Sequence, residues 1–289
     1  MFCISKEISS SLKGIAVLLI LICQFCGGGF GYRIFTPLGG IGVAIFLFLS
    51  GYGLNESFTK KGLTCYWRNK IVRIVFPYLI CVVLMLPVTW LLYGKMEFIY
   101  KYWYLGYLFF WYFNFYITKK YFPKYANFIM LIIACLSFFY FSNLQSEQSF
   151  SFIAGVIVST KKIIINSYKQ NKIFYFAVFL FTIGTICLAL KQLDCIRAFA
   201  EDTIILKLIQ LGIKFPCGLA LILFYNNLPS ILRFNNILNC IGIVSLETYL
   251  VQMPLYKYIN CSNTRLILSI VLLITLVTLL HICVKKFRL

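Results

Sequence analysis

Long, uninterrupted apolar runs recur along this chain, and they constrain its fold more than any motif does. Ten stand out, at 12–30, 38–54, 71–93, 102–117, 125–141, 150–159, 173–190, 204–225, 237–255 and 266–284. A helix that crosses a bilayer needs about 20 mostly apolar residues. The sixth run is too short by itself. The runs are continuous rather than alternating and too long for tilted strands, which argues against a β-barrel. Composition agrees: of 289 residues, 61% are hydrophobic and 12% charged, against roughly 45–50% and 25% in a soluble domain. A soluble chain of this size could not hide so much apolar surface, and disorder is excluded on the same ground. The expected fold is an all-α integral membrane protein, a bundle of about ten transmembrane helices. It should form a single domain over 1–289, because no loop exceeds about 16 residues. The first run imitates a signal peptide, but no small-residue cleavage site follows it.

Net charge is +19, from 27 basic and 8 acidic residues. In a soluble chain this would suggest nucleic acid. With the N-terminus in the cytoplasm and ten alternating spans, 18 basic residues fall on cytoplasmic segments and 7 on outer ones. Lys207 and Lys214 remain inside the eighth run. Lys and Arg gather in cytoplasmic loops, so this bias predicts that both termini are cytoplasmic. It also absorbs the positive excess without a nucleic-acid partner.

Most of the twelve cysteines are scattered through apolar runs, where a free thiol packs as a small hydrophobe. Cys23-x-x-Cys26 has no second pair to complete a metal site, so no metal is expected. Gly27-Gly28-Gly29-Phe30-Gly31 lacks the Gly-Lys-Ser/Thr ending of a phosphate loop and reads as a flexible outer turn. The one histidine, His281, lies near the cytoplasmic end of the last run and reads as a packed or interfacial residue.

Polar groups at membrane depth say more, because each is expensive without a partner. Gln24 lies eleven residues after Lys13 in the first run. In the ninth, Ser245, Thr248 and Gln252 share a helix face, and Glu247 points roughly opposite to Ser245. In the eighth, Lys207, Gln210 and Lys214 share a face. Each could serve only as interhelical packing glue, a reading harder to sustain for the charged Glu247 and Lys214. Before the third run, Lys70 and Arg73 present two cations on one helix side. They suit either a phosphate-bearing ligand or anionic lipid, and the residues alone leave both open.

Three stretches together resemble the acyltransferase-3 family of bacterial membrane O-acyltransferases. They are 13–24 (KGIAVLLILICQ), 39–54 (GGIGVAIFLFLSGYGL) and 70–78 (KIVRIVFPY). The late segment 241–252 (IGIVSLETYLVQ) is similar to the family's Ser-Leu-Glu-x-Tyr-Leu signature. The resemblance implies transfer of an acyl group, often acetyl, from cytoplasmic acyl-CoA to a hydroxyl of surface polysaccharide or a lipid-linked glycan. It implies a multi-pass protein of the bacterial inner membrane, with acyl-CoA as donor substrate and no bound cofactor. Lys70 and Arg73 match the family's basic pair, suited to CoA phosphates. Lys13 and Gln252, with Ser50 and Tyr52 of the Leu-Ser-Gly-Tyr block, join them as substrate-binding residues. Gln24 stands where the family carries a histidine, and Gln252 where many members carry another. An amide cannot accept a proton as imidazole can, so the catalytic position falls to Gln24 with Glu247 as the carboxylate nominated in its support. Three readings follow: an O-acyltransferase with a rearranged site, a catalytically impaired homologue that binds lipid-linked glycan, and an unrelated polysaccharide transporter or polymerase.

Overall fold

The computed structural model describes residues 4–95, 102–166, 170–197, 203–229, 233 and 235–288, and every regular element among them is helical. Helix α1 (Lys6–Ile22) begins at Ser5, whose side chain accepts the Ile8 backbone N–H at 3.1 Å. Glu7 in the first turn favours the positive end of the helix dipole. The helix does not open into a turn at its glycines. Cys23–Gly29 continues it as a π-helix, and the chain reverses only afterwards, beyond Phe30. The expected glycine-rich turn is therefore the widened end of the first span. Missing Cβ atoms explain it: a Cβ on Gly28 or Gly29 would approach the Tyr256 or Ile259 side chain to 3.0 Å.

Helix α2 (Thr36–Lys61) supplies the core, with Ile45 and Leu47 fully buried. Helix α3 (Tyr66–Lys70), a π segment (Ile71–Val75) and α4 (Phe76–Tyr93) form one rod. Pro77 has no N–H to offer and crowds the carbonyl four residues back, so the ladder widens just before it. The rod ends at Gly94, whose φ of 66° is the left-handed conformation of a helix stop. There follow α5 (Trp103–Tyr121), α6 (Ala126–Tyr140), α7 (Asn143–Ser146), α8 (Ser151–Thr160), α9 (Lys162–Asn166), α10 (Gln170–Gln192), α11 (Asp194–Arg197), α12 (Ile204–Asn227), α13 (Asn235–Ile243), α14 (Ser245–Ile259) and α15 (Asn263–Arg288).

Among the described residues, six stretches are long and apolar enough to cross a membrane: Lys6–Gly29, Arg33–Lys61, Tyr66–Tyr93, Gln170–Gln192, Ile204–Asn227 and Asn263–Lys286. A seventh arises if Asn236–Ile243 and Ser245–Ile259, bent by 68°, count as one broken span. The other apolar runs are helical too but fall short. Helix α8 has 10 residues, about 15 Å, roughly half the hydrocarbon thickness, and α6 has 15. Large apolar side chains on α6, α10 and α15 face outward, among them Phe139, Tyr175, Phe179, Ile267 and Ile282. Such a surface suits lipid rather than water.

Close helix crossings hold the bundle together. A Cβ on Gly155 of α8 would overlap the Phe48 carbonyl of α2, and one on Gly51 would overlap the Phe152 carbonyl in return. Small residues at facing positions allow this backbone contact, as membrane helices commonly do. Helix α14 carries Pro254 in its interior, which leaves the Leu250 carbonyl without its amide partner. The Tyr102 hydroxyl donates to that carbonyl at 2.7 Å, and the Tyr93 hydroxyl to the Pro254 carbonyl at 2.6 Å.

Candidate functional site

The π turn that follows α1 carries Gln24 into the wall of a cavity of about 190 Å³. Thr36 and Gly40 of α2, Trp103 of α5, Lys214 of α12, and Tyr249 and Met253 of α14 line it as well. The Gln24 amide donates to the Met253 sulfur at 3.4 Å, while its buried Oε1 has no hydrogen-bond partner among the described residues. Between α7 and α8 the chain breaks in a turn holding Glu147 and Gln148, both buried and both on this wall. Glu147 forms an ion pair with Lys214, and the Gln148 side chain donates to the Gly40 carbonyl at 2.9 Å. Gly40 admits this arrangement, because the stem of Lys214 lies where its Cβ would be.

A second constellation gathers cations. Lys13 of α1 and Lys70 and Arg73 of the α3–α4 rod lie within electrostatic reach of one another. Lys70 Nζ stands 4.1 Å from the centre of the Tyr112 ring and 5.6 Å from that of Tyr66, geometry that suits cation–π attraction. The Tyr66 hydroxyl donates to the Tyr112 carbonyl at 2.8 Å and fixes the platform. Arg73 is exposed and Lys13 and Lys70 are half-buried, so the group faces an accessible surface.

Polar tyrosines join the two regions. Ser50 lies beside both Tyr112, under Lys70, and Tyr104. Tyr104 meets the Tyr249 ring edge-on at 5.3 Å. Tyr249 lines the Gln24 cavity. Lys13 and Gln24 are themselves eleven residues apart on one helix, about 16 Å along its axis. The cluster and the cavity thus sit at two levels of one strip of the bundle.

Other candidates lie elsewhere. Glu247 is 3.4 Å from His281 Nδ1, buried between α14 and α15, and is not part of the cavity wall. Gln252 is wholly buried, and neither of its polar atoms has a hydrogen-bond partner among the described residues. Tyr52 holds the start of the chain: its hydroxyl accepts the Ile4 N–H at 3.5 Å and its ring stacks on Phe48. Cys23 and Cys26 are free thiols. Among the described residues no three His, Cys, Asp or Glu side chains converge as a metal site requires.

The carboxylate that accompanies Gln24 is therefore Glu147, which the reading of apolar runs overlooked. It falls in a polar stretch, 142–149, that separates two runs and reads as a loop. Its one signal in the sequence is the unpaired charge of Lys214 inside the eighth run.

A family model described as an acyltransferase domain matches residues 10–284. Comparison with curated proteins gives no match, and comparison with solved structures gives none.

Proposed function

Because the chain belongs to the acyltransferase-3 family, we propose that it is a bacterial inner-membrane O-acyltransferase, most simply an O-acetyltransferase. It carries the acyl group of a cytoplasmic acyl-CoA to a hydroxyl of surface polysaccharide or another cell-envelope glycan. The single domain spans 1–289 and keeps both termini on the donor side. The observation that carries this reading is the meeting of Lys13, Lys70 and Arg73 one level below the Gln24 cavity. Clustered cations over an aromatic platform suit the phosphates of CoA, Arg73 as a bidentate fork and the lysines as point charges. The Ser50–Tyr104–Tyr249 strip gives the thioester arm polar contacts on its way to the cavity. There Gln24 and Trp103 offer the amide and flat ring that hydroxyl-bearing ligands favour.

The test is transfer of labelled acetyl from acetyl-CoA to envelope glycan in membranes holding the full chain, beside measurement of glycan-bound acetyl in cells with and without the gene. We expect base-labile label on glycan and loss of acetyl when the gene is removed. Donor binding without transfer to any hydroxyl acceptor would favour a second reading, a homologue that binds or passes lipid-linked glycan. The amides at Gln24 and Gln252, neither able to act as a base, are what favour it.

A further inference from the structure

The Glu147–Lys214 pair is built in a way that plain helix stapling does not require. Both side chains are more than nine-tenths buried, and both line a cavity with room for a ligand. Glu147 sits in a turn rather than on a long helix, and that turn is tied to α2 through Gln148 and the Gly40 carbonyl. Gln24 lines the same cavity, and its Oε1, buried without a hydrogen-bond partner among the described residues, is an acceptor that a bound hydroxyl would satisfy. Burying two opposite charges is often no more stabilising than packing hydrophobic residues there, so the pair calls for a use beyond stability.

We propose that Glu147 is the general base of acyl transfer and that Lys214 stabilises the oxyanion that forms. The inference rests on the acyltransferase reading above and names the proton acceptor within it. The acceptor hydroxyl is held by the Gln24 carbonyl oxygen and presents its oxygen to the thioester carbonyl carbon. As the new C–O bond forms, the hydroxyl proton passes to the Glu147 carboxylate. Negative charge thereby leaves Glu147 and reappears on the thioester oxygen, within reach of the Lys214 ammonium, which has just lost its counter-ion. The cavity keeps one positive and one negative charge throughout, which avoids the cost of an unpaired ion in a low-dielectric interior. The tetrahedral species then collapses, the C–S bond breaks with its electron pair on sulfur, and the proton held by Glu147 returns to give free CoA thiol. The products are the O-acyl ester and CoA, and no further reactant is needed.

The experiment measures labelled acetyl transfer by the full-length protein in membranes, with CoA binding and thermal unfolding followed on the same preparations. Glu147→Gln should lower transfer about 10²- to 10⁴-fold, the usual contribution of a positioned base. Breaking one half of a buried pair can also unfold the protein, so the double variant Glu147→Gln/Lys214→Met is the decisive one. It removes both charges and should recover native unfolding behaviour and CoA binding while remaining inactive. Recovery of transfer in the double variant would make the pair structural and overturn the inference. Native activity in Glu147→Gln would overturn it too, leaving the acyltransferase reading in place. A native protein that binds CoA yet transfers to no acceptor would overturn both.

Discussion

Lys214 and Glu147 stand 67 residues apart in sequence and meet on the wall of one cavity, one from mid-helix and the other from the turn between two short helices. The pair joins α12 to the α7–α8 break, and α2 lies beneath both through Gly40. A charge deep in an apolar helix must find a partner or be neutralised. Here the partner comes from the polar turn just before the shortest of the apolar runs, and the helix of that run, too short to span, is itself well buried. Of its ten residues, Phe152, Ile153 and Val156 are almost fully enclosed.

Crossing of α2 and α8 backbone to backbone makes a stability prediction. A methyl group at Gly155 meets the Phe48 carbonyl, which cannot rotate away. Gly155→Ala should destabilise the fold by about 1–3 kcal/mol, the usual cost of overpacking. Gly106→Ala is the control, because nothing lies within 4 Å of a Cβ there. Thermal unfolding of both variants in detergent or nanodiscs checks the difference. Equal midpoints would mean that the helices do not approach so closely.

Tyr102 and Pro254 make a coupled pair. Tyr102→Phe removes the hydroxyl that serves the Leu250 carbonyl and should cost about 1–3 kcal/mol, the penalty of an unsatisfied buried acceptor. Restoring the missing amide with Pro254→Ala should make the same tyrosine substitution nearly neutral. A double-mutant cycle of unfolding free energies measures this coupling. Additive effects would show that the tyrosine does not stand in for the lost helix bond.

How much of this was legible in the sequence depends on what set each feature. Every apolar run falls on helix, because burial or lipid exposure demands an unbroken apolar stretch in either case, whereas the short helices α3, α7, α9 and α11 lie outside the runs. Length marked the run of α8 as too short to cross by itself, but it did not mark the run of α6, whose helix has 15 residues. The cations at Lys13, Lys70 and Arg73 were readable as a group from helix spacing and family resemblance, and they do lie together. Glu247 was nominated as the carboxylate to support Gln24, for want of another nearby in the sequence; it lies 3.4 Å from His281 Nδ1, outside the cavity wall. The π turns holding Gln24 and Arg73 left no mark that hydropathy could reveal, although Pro77 foretold some distortion in the second.

Topology is open to direct measurement. The basic asymmetry predicts that the end of α2 bearing Lys60 and Lys61 is cytoplasmic and that Thr36, at its start, is outside. In a background without reactive native thiols, an impermeant reagent applied to intact cells should label Thr36→Cys and spare Lys61→Cys. The reverse pattern would invert the assignment.

Donor recognition should be lost without loss of insertion when the cation cluster is dismantled. Hydrogen bonds to a charged group contribute about 1.5–3 kcal/mol each, so Lys70→Ala and Arg73→Ala should each weaken CoA binding roughly ten-fold or more. Titration of purified full-length protein with CoA and with dephosphorylated pantetheine separates phosphate contacts from the rest. Affinity for CoA unchanged in the double variant would reduce these residues to lipid anchors.

Gln24 carries the last prediction. Its Oε1 can accept a hydrogen bond from an acceptor hydroxyl but cannot take the proton. An imidazole in its place can do both near neutral pH. The two side chains are similar in reach, and the neighbour Met253 is unbranched and adaptable, so Gln24→His should fit with little repacking. We expect Gln24→His to raise acetyl transfer above the native level. It should also restore part of the transfer lost in Glu147→Gln, which keeps Lys214, because a base then returns to the cavity from its other wall. Gln24→Ala should retain the base and lose the acceptor's hydrogen bond, so its KM for glycan should rise several-fold more than its kcat falls. Transfer assays over acceptor concentration and pH distinguish these outcomes. Should Gln24→His bring no gain while a histidine-bearing relative works under the same conditions, the cavity does not hold the reacting hydroxyl, and the site of transfer must lie nearer the cations.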